Sequence, residues 1–297
     1  MGINYVEEPI IFLGAPRSGT SIISEIVMRH KDLAYPSQYQ PRVLGNTNIN
    51  YLRRLADNSF WRFHGQKKQL NKVSPLNYFI FRSVEAYPMW DYLVRDGISF
   101  SKDFLINEKA TSEERLRIVS FFSKLVNKQG KKRLAFKITG PSRLNYLLSI
   151  FPKAKVVYIT RDSIAVVNSL MRVPFWKERG MTKFWWQGAY DDSDNKWLES
   201  NKSDNIQITA YQIRKIIQVT ENEIFTHRPD ALKVEYTNFI ENPESTIEKI
   251  LSYTGLSQDK ACFDYFKRNR IFNQNKKNAT FFSEEERRRL INLFEKK

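Results

Sequence analysis

The 297 residues, 41% hydrophobic and 14% aromatic, suffice to bury one sizeable core, and such a composition excludes a disordered chain. A formal net charge of +16 favours polyanionic partners (nucleic acid, an anionic membrane face, or a phosphorylated or acidic small molecule) or else a basic surface kept for solubility. The single cysteine, Cys262, excludes an internal disulfide; with no Cys/His cluster beside it, it reads as packing, and no metal site is expected.

Pro9 to Leu13 reads as a short buried strand, stopped by Gly14. From Thr20 to His30 the spacing of Ile22, Ile23, Ile26 and Val27 predicts a helix. Residues 31–110 are broken by Pro36, Pro41, Gly45, Pro75 and Pro88 and should hold irregular structure with short helices. Thr111 opens a helix to Gln129 with the capping box Thr111-x-x-Glu114. Leu134 to Ile138 is a strand, Pro141 stands where a first helical residue is tolerated, and Lys155 to Thr160 is the clearest buried strand. A helix follows from about Asp162 to Met171. Residues 174–205 mix aromatic residues with Gly, Asp, Ser and Asn before a long amphipathic helix, Ile206 to Phe225. Leu232 to Tyr236 is a strand, Asn242-Pro243 begins a helix that Gly255 ends, and Ser283-x-x-Glu286 caps the last one.

Strands alternating with helices predict an α/β protein: a three-layer P-loop-type fold with a central parallel sheet flanked by helices. No repeat or linker interrupts the chain. One domain over residues 1–297 is expected, with 31–110 and 174–205 as insertions. No apolar run reaches the ~18–20 residues that span a bilayer. Glu7 and Glu8 stand where a secretory leader would carry basic residues, so a cytoplasmic protein is the expectation.

The chemistry concentrates in Gly14-Ala15-Pro16-Arg17-Ser18-Gly19-Thr20-Ser21, between the first strand and the first helix. Two glycines let backbone N–H groups approach a phosphate at a helix N-terminus. Arg17 adds a fixed charge, and Ser18, Thr20 and Ser21 add hydroxyls. A nucleotide kinase would write this loop with lysine after the last glycine, where Thr20 stands here. Arg161 beside Asp162 also spoils a magnesium site at the end of the Val156 to Thr160 strand. Both features argue against ATP chemistry.

The loop resembles the 5′-phosphosulfate loop of PAPS-dependent sulfotransferases, particularly the bacterial and Golgi-type branch. Two further elements are similar to that family's. Tyr158-Ile-Thr-Arg161 followed eight residues later by Ser169 matches its 3′-phosphate motif. Val234-Glu235-Tyr236 matches a strand end whose tyrosine lies near the adenine. The resemblance runs from about Pro9 to Gly255 and implies PAPS as donor and PAP as product. Arg17, Ser18, Gly19, Thr20, Ser21, Arg161, Ser169 and Tyr236 are its implied contacts, with Lys277 of the late Lys276-Lys277 pair as a basic residue closing over the nucleotide. The spacing has its own logic: a strand-end arginine and a serine two turns along the next helix can meet one phosphate.

Catalysis is less complete. The resemblance gives Lys137, in Phe136-Lys137-Ile138-Thr139, the task of electrostatic support, shared with Arg17. Where cytosolic-type relatives carry a histidine this chain has Thr139, and where Golgi-type relatives place a glutamate it has Ser37-Gln38-Tyr39-Gln40-Pro41-Arg42, without a carboxylate. His30 and His227 stand at helix ends. His64, Asp91 and Asp96 remain as candidates, and no general base is assigned.

Trp176, Phe184, Trp185, Trp186 and Trp197 either line an acceptor pocket or pack a small lobe. A carbohydrate acceptor, hydroxyl or amine, is the expectation, and the net charge suits an acidic one. Two rivals are a P-loop kinase or NTPase and a basic nucleic-acid-binding protein. The first lacks its lysine, and the second should show a concentrated basic stripe where Lys and Arg are scattered.

Overall fold

A computed structural model describes residues 6, 8–66, 77, 79–269, 271 and 281–295. Strand β1 (Ile10–Gly14) leads into helix α1 (Thr20–Val27), and a short β2 (Leu33–Ala34) follows. Helices α2 (Gln40–Val43), α3 (Ile49–Ala56) and α4 (Tyr87–Leu93) lie among irregular segments. Strict alternation then sets in: α5 (Ser112–Gln129), β3 (Arg133–Thr139), α6 (Leu144–Ile150), β4 (Lys155–Thr160) and α7 (Ser163–Met171). The aromatic stretch contributes α8 (Pro174–Arg179) and α9 (Asp192–Ser200). After them come α10 (Asn205–His227), β5 (Leu232–Glu235), α11 (Tyr236–Glu241), α12 (Pro243–Tyr253), α13 (Lys260–Arg268) and α14 (Glu284–Glu295).

The five strands form one parallel sheet in the order β2-β3-β1-β4-β5. Strand β1 is central, and its alternation explains why it reads as a continuous apolar run. Ile10 and Phe12 face a core built with α1, α12 and α13, whereas Ile11 and Leu13 face a second core built with α4, α5 and α6. In the second core Trp90 stacks on Phe100 at 4.6 Å and meets Phe122 and Phe136. A third cluster joins α7, α8, α10 and α14 around Trp176 and Trp186.

Local signals place most helix ends. Thr111 and Glu114 form the expected reciprocal cap of α5, and Ser283 with Glu286 repeats it at α14. Asp162 caps α7 by accepting from the Ala165 amide at 2.7 Å, which gives this carboxylate a structural use. Cys262 is buried in the first core, and burial pushes its thiol up to about 12.

Pro141 does not begin a helix. Helix α6 starts at Leu144, because Glu223 of α10 accepts from the Leu144 and Asn145 amides at 3.0 and 3.1 Å and supplies the cap from outside. Tyr236 likewise leaves the strand and opens α11.

Parallel strands put their C-terminal ends on the same edge: Gly14 lies opposite Thr139 there, and Thr160 opposite Glu235. The chain order reverses beside β1, with β3 on one side and β4 on the other. A crevice opens at such a reversal, and ligands of open α/β sheets bind in it.

Candidate active site

The loop after β1 is shaped by backbone constraints. A Cβ on Gly14 would stand 2.6 Å from the Ile159 carbonyl and 2.6 Å from Ser18 Oγ, so no side chain fits. Gly19 has φ +97°, and a Cβ there would collide with the Tyr236 ring. Arg17 is itself left-handed at φ 70°, which turns its side chain out of the loop toward α7. There its Nε donates to Ser169 Oγ at 3.0 Å. Arg161, at the end of β4, donates to the Arg17 carbonyl at 2.9 Å and lies 4.7 Å over the Tyr236 ring.

Residues 17, 161, 169 and 236 thus meet at one point although more than two hundred positions separate the first and last. Burial lowers the pKa of both guanidinium groups, with the Tyr236 phenol opposing it, and at Arg161 the nearby Arg17 lowers it further. Two partly desolvated like charges beside a glycine-shaped loop and the start of α1 fit a multiply charged anion.

A cleft of about 870 Å³ opens over this point. Arg17, Gly19, Thr20, Ser21, Arg161, Ser169 and Tyr236 all line it. Ser18 lies beneath the loop, where its hydroxyl meets that of Thr20 at 2.8 Å. Lys137 stands behind the floor, 3% exposed, and donates to Ser21 Oγ at 3.2 Å. Lys277 lies outside the described residues.

Three residues of the cleft wall escape sequence reasoning. Glu85 Oε1 is 3.6 Å from Lys137 Nζ. Tyr87 donates its hydroxyl to the Thr139 carbonyl and accepts from the Thr139 amide at 3.1 Å, and burial raises its pKa. Arg179 stacks 4.9 Å over Trp185 and 5.4 Å over Phe175, with Lys102 5.0 Å over the same Trp185. The only prior hint for Glu85 was its place just before Tyr87-Pro88, where a helix could start.

The remaining base candidates separate clearly. His64 is not at the cleft: it stands 3.9 Å from Asp57, which also binds Lys131 at 2.7 Å, just ahead of β3 and therefore at the opposite edge of the sheet. Burial first, then the cations Arg29, Arg62 and Arg53, hold its pKa down to about 3, with Asp57 opposing them. Asp96 is exposed, and Asp91 lines the cleft but accepts from the Ser101 amide at 2.9 Å. Gln38 and Gln40 are occupied too. Gln38 pairs with Arg82 N and the Ile80 carbonyl, and Gln40 donates to the Leu44 and Asn46 carbonyls.

The aromatic segment divides between packing and the cleft wall. Trp176 is fully buried and donates to Thr209 Oγ1 at 3.0 Å, and Trp197 stacks on Tyr211. Trp185 and Trp186, with Phe175, face the cleft.

A profile described as "Sulfotransferase family" matches residues 9–260. Among solved structures, sulfotransferase STF9 from Mycobacterium avium aligns with a TM-score of 0.58 at 14% identity, over 97% of this chain and 75% of that one. The sulfotransferase domain from the curacin biosynthetic pathway aligns with a TM-score of 0.52 at 12% identity, over 97% and 98%. At such identities the two structures speak to the fold, which this chain shares with them. No curated protein matches the sequence.

Proposed function

The chain belongs to the sulfotransferase family, and from that premise we propose that it moves the sulfuryl group of PAPS to a hydroxyl of a carbohydrate, releasing PAP. Family and fold together support sulfuryl transfer in general. The donor reading rests on one observation: the loop arginine Arg17, Ser169 and Arg161 form a connected set above the Tyr236 ring. A nucleotide with phosphate at both ends of its ribose needs such a set.

PAPS, when bound, supplies the sulfuryl group and a phosphate that leaves with the electron pair of the broken S–O bond. The chain's residues then have distinct tasks. Loop amides, Thr20 and Ser21 receive the 5′-phosphosulfate. Arg161, Ser169 and Arg17 hold the 3′-phosphate side, and Tyr236 offers its ring to the adenine. Lys137, through its place behind Ser21, supports the charge that builds on the leaving phosphate.

The acceptor reading is supported by the other end of the cleft. Arg172 and Arg179 line it with Phe175 and Trp185, Lys102 lies over the Trp185 ring, and among the described residues neither arginine meets a carboxylate. Rings that stack on sugars, interleaved with cations, suit an acidic saccharide. The one domain expected from the sequence, with residues 31–110 and 174–205 shaping the acceptor side, is part of this proposal. So is a cytoplasmic location. Among the described residues no helix is long and apolar enough to cross a membrane.

The test compares thermal stabilisation by PAP, by ATP with magnesium, and by short DNA, followed by transfer of labelled sulfate from PAPS to neutral and uronic-acid glycosides. PAP is expected to stabilise the protein most. Stabilisation by ATP with magnesium and none by PAP overturns the donor assignment.

A further inference from the structure

We propose that Glu85 is the group that takes the proton from the acceptor, and that the acceptor group is an aliphatic hydroxyl that needs such a base. This inference rests on the sulfuryl-transfer reading and deepens it. Among the described residues the cleft wall carries two carboxylates, Glu85 and Asp91. Asp91 is turned to the Ser101 amide. Glu85, with its side chain 23% exposed, stands beside Lys137, and Lys137 in turn binds Ser21 of the phosphosulfate loop. The carboxylate is therefore at the junction of the donor and acceptor arms, where an attacking hydroxyl must approach the sulfur. The Lys137 ammonium orients it there by charge.

The surrounding structure is built to hold that residue in place. The Val84 amide donates to the Pro36 carbonyl at 3.2 Å, and Gln38 clasps Arg82 from the same segment. On the other side Tyr87 is bonded to both backbone groups of Thr139, and the buried Arg143 guanidinium packs on the Tyr87 ring at 5.8 Å. Between these anchors Ala86 adopts φ 54°, a left-handed conformation costly for any residue with a Cβ. Backbone held in this region by its neighbours clusters at functional sites. The Gln38 stretch, which lacks a carboxylate, thus serves by fastening the segment that brings one.

The step balances without any co-reactant beyond the donor. As the acceptor oxygen forms its bond to sulfur, its proton passes to a Glu85 oxygen. The bond between sulfur and the bridging phosphate oxygen breaks, and its electron pair stays on the phosphate of PAP. Glu85 is left as the neutral acid and returns its proton to water once the products leave.

The experiment uses the full chain as wild type, Glu85→Gln and Glu85→Asp. PAP affinity is measured by calorimetry, and transfer from PAPS is measured to methyl glycosides, neutral and uronic, and to p-nitrophenol. A phenol acidic near neutral pH needs little help from a base. Glu85→Gln is expected to lower kcat for the best glycoside about 10²–10³-fold, to lower transfer to p-nitrophenol less than about tenfold, and to flatten the acid limb of the pH profile. PAP affinity should stay within about twofold, and Glu85→Asp should recover part of the glycoside rate, both following from a role confined to proton transfer. Glycoside transfer by Glu85→Gln close to the wild-type rate overturns the assignment and leaves the donor reading intact. Equal losses for both acceptors, or loss of PAP binding, make Glu85 structural and overturn it as well. A wild-type enzyme that uses only the phenol contradicts the aliphatic acceptor. A wild-type protein that does not bind PAP sinks the donor reading itself.

Discussion

Two groups of cations lie at opposite edges of the same sheet, one buried and one open to the cleft, and their surroundings differ in kind. At the edge ahead of β3, Arg53, Arg62 and Lys131 converge on Asp57, and Arg62 also grips Asp259 at 2.9 Å. Each positive charge there is met by a carboxylate of the chain. At the C-terminal edge Lys137 faces Glu85, while Arg17 donates to a serine hydroxyl, Arg161 donates to a carbonyl and lies over a ring, and Arg179 lies over two aromatic faces. Burial costs a cation its hydration, which the carboxylates offset at the far edge; the arginines of the cleft stand on its wall, where an anion from outside can reach them. The net charge of +16 contains both and cannot separate them.

This contrast can be broken from either side. The largest effect is expected at the far edge: Asp57→Ala leaves its cations without their carboxylate and should cost roughly 3–5 kcal/mol of stability in a denaturant titration. PAP affinity of the folded fraction should not change. Acid should act on the same cluster. The His64 imidazole is held down at about 3 in the folded protein, so at intermediate pH the unfolded chain binds a proton that the folded one refuses. Stability is then complete above the unfolded value of about 6.5 and falls with pH toward about 3, by on the order of a few kcal/mol. His64→Gln should flatten that limb of the melting-temperature profile; an unchanged profile would show that another group controls it.

The cleft should respond in the opposite currency. Lys137→Met is expected to lower kcat about 10²–10³-fold with PAP binding nearly unchanged; an unaltered kcat would remove Lys137 from catalysis. Arg161→Ala should weaken PAP by roughly 1.5–3 kcal/mol and spare adenosine 5′-phosphosulfate, which lacks the 3′-phosphate. Equal losses for both ligands would mean that Arg161 does not read that phosphate. The smallest effect concerns the acceptor wall. Arg179→Ala should raise KM for a uronic glycoside by a factor equivalent to about 1 kcal/mol and leave a neutral one alone. A loss shared by both would make Arg179 a packing residue.

Much of this division was legible before folding. The loop, Arg161 with Ser169, and Tyr236 each lie next to a strand of unmistakable apolar character, and local sequence sets their relation to that strand. Capping boxes at Thr111 and Ser283 were equally local, and both formed. Pro141 misled because the cap of α6 comes from Glu223, on another helix. Glu85 went unnoticed for the same reason: it reaches Lys137 across fifty-two positions, through a segment with no regular period. His64 is a base candidate by its place in the segment expected to shape the acceptor side, yet in the fold it belongs to the Asp57 cluster.

The sequence by itself determined the alternation of strand and helix, the parallel sheet, and the donor-side loop, because hydrophobic period, glycine and capping chemistry act over a few residues. Only the tertiary structure decided which carboxylates line the cleft and which cations are already paired with one. Those relations are distances between segments far apart in the chain. They exist only once the parallel strands have brought their ends to one edge.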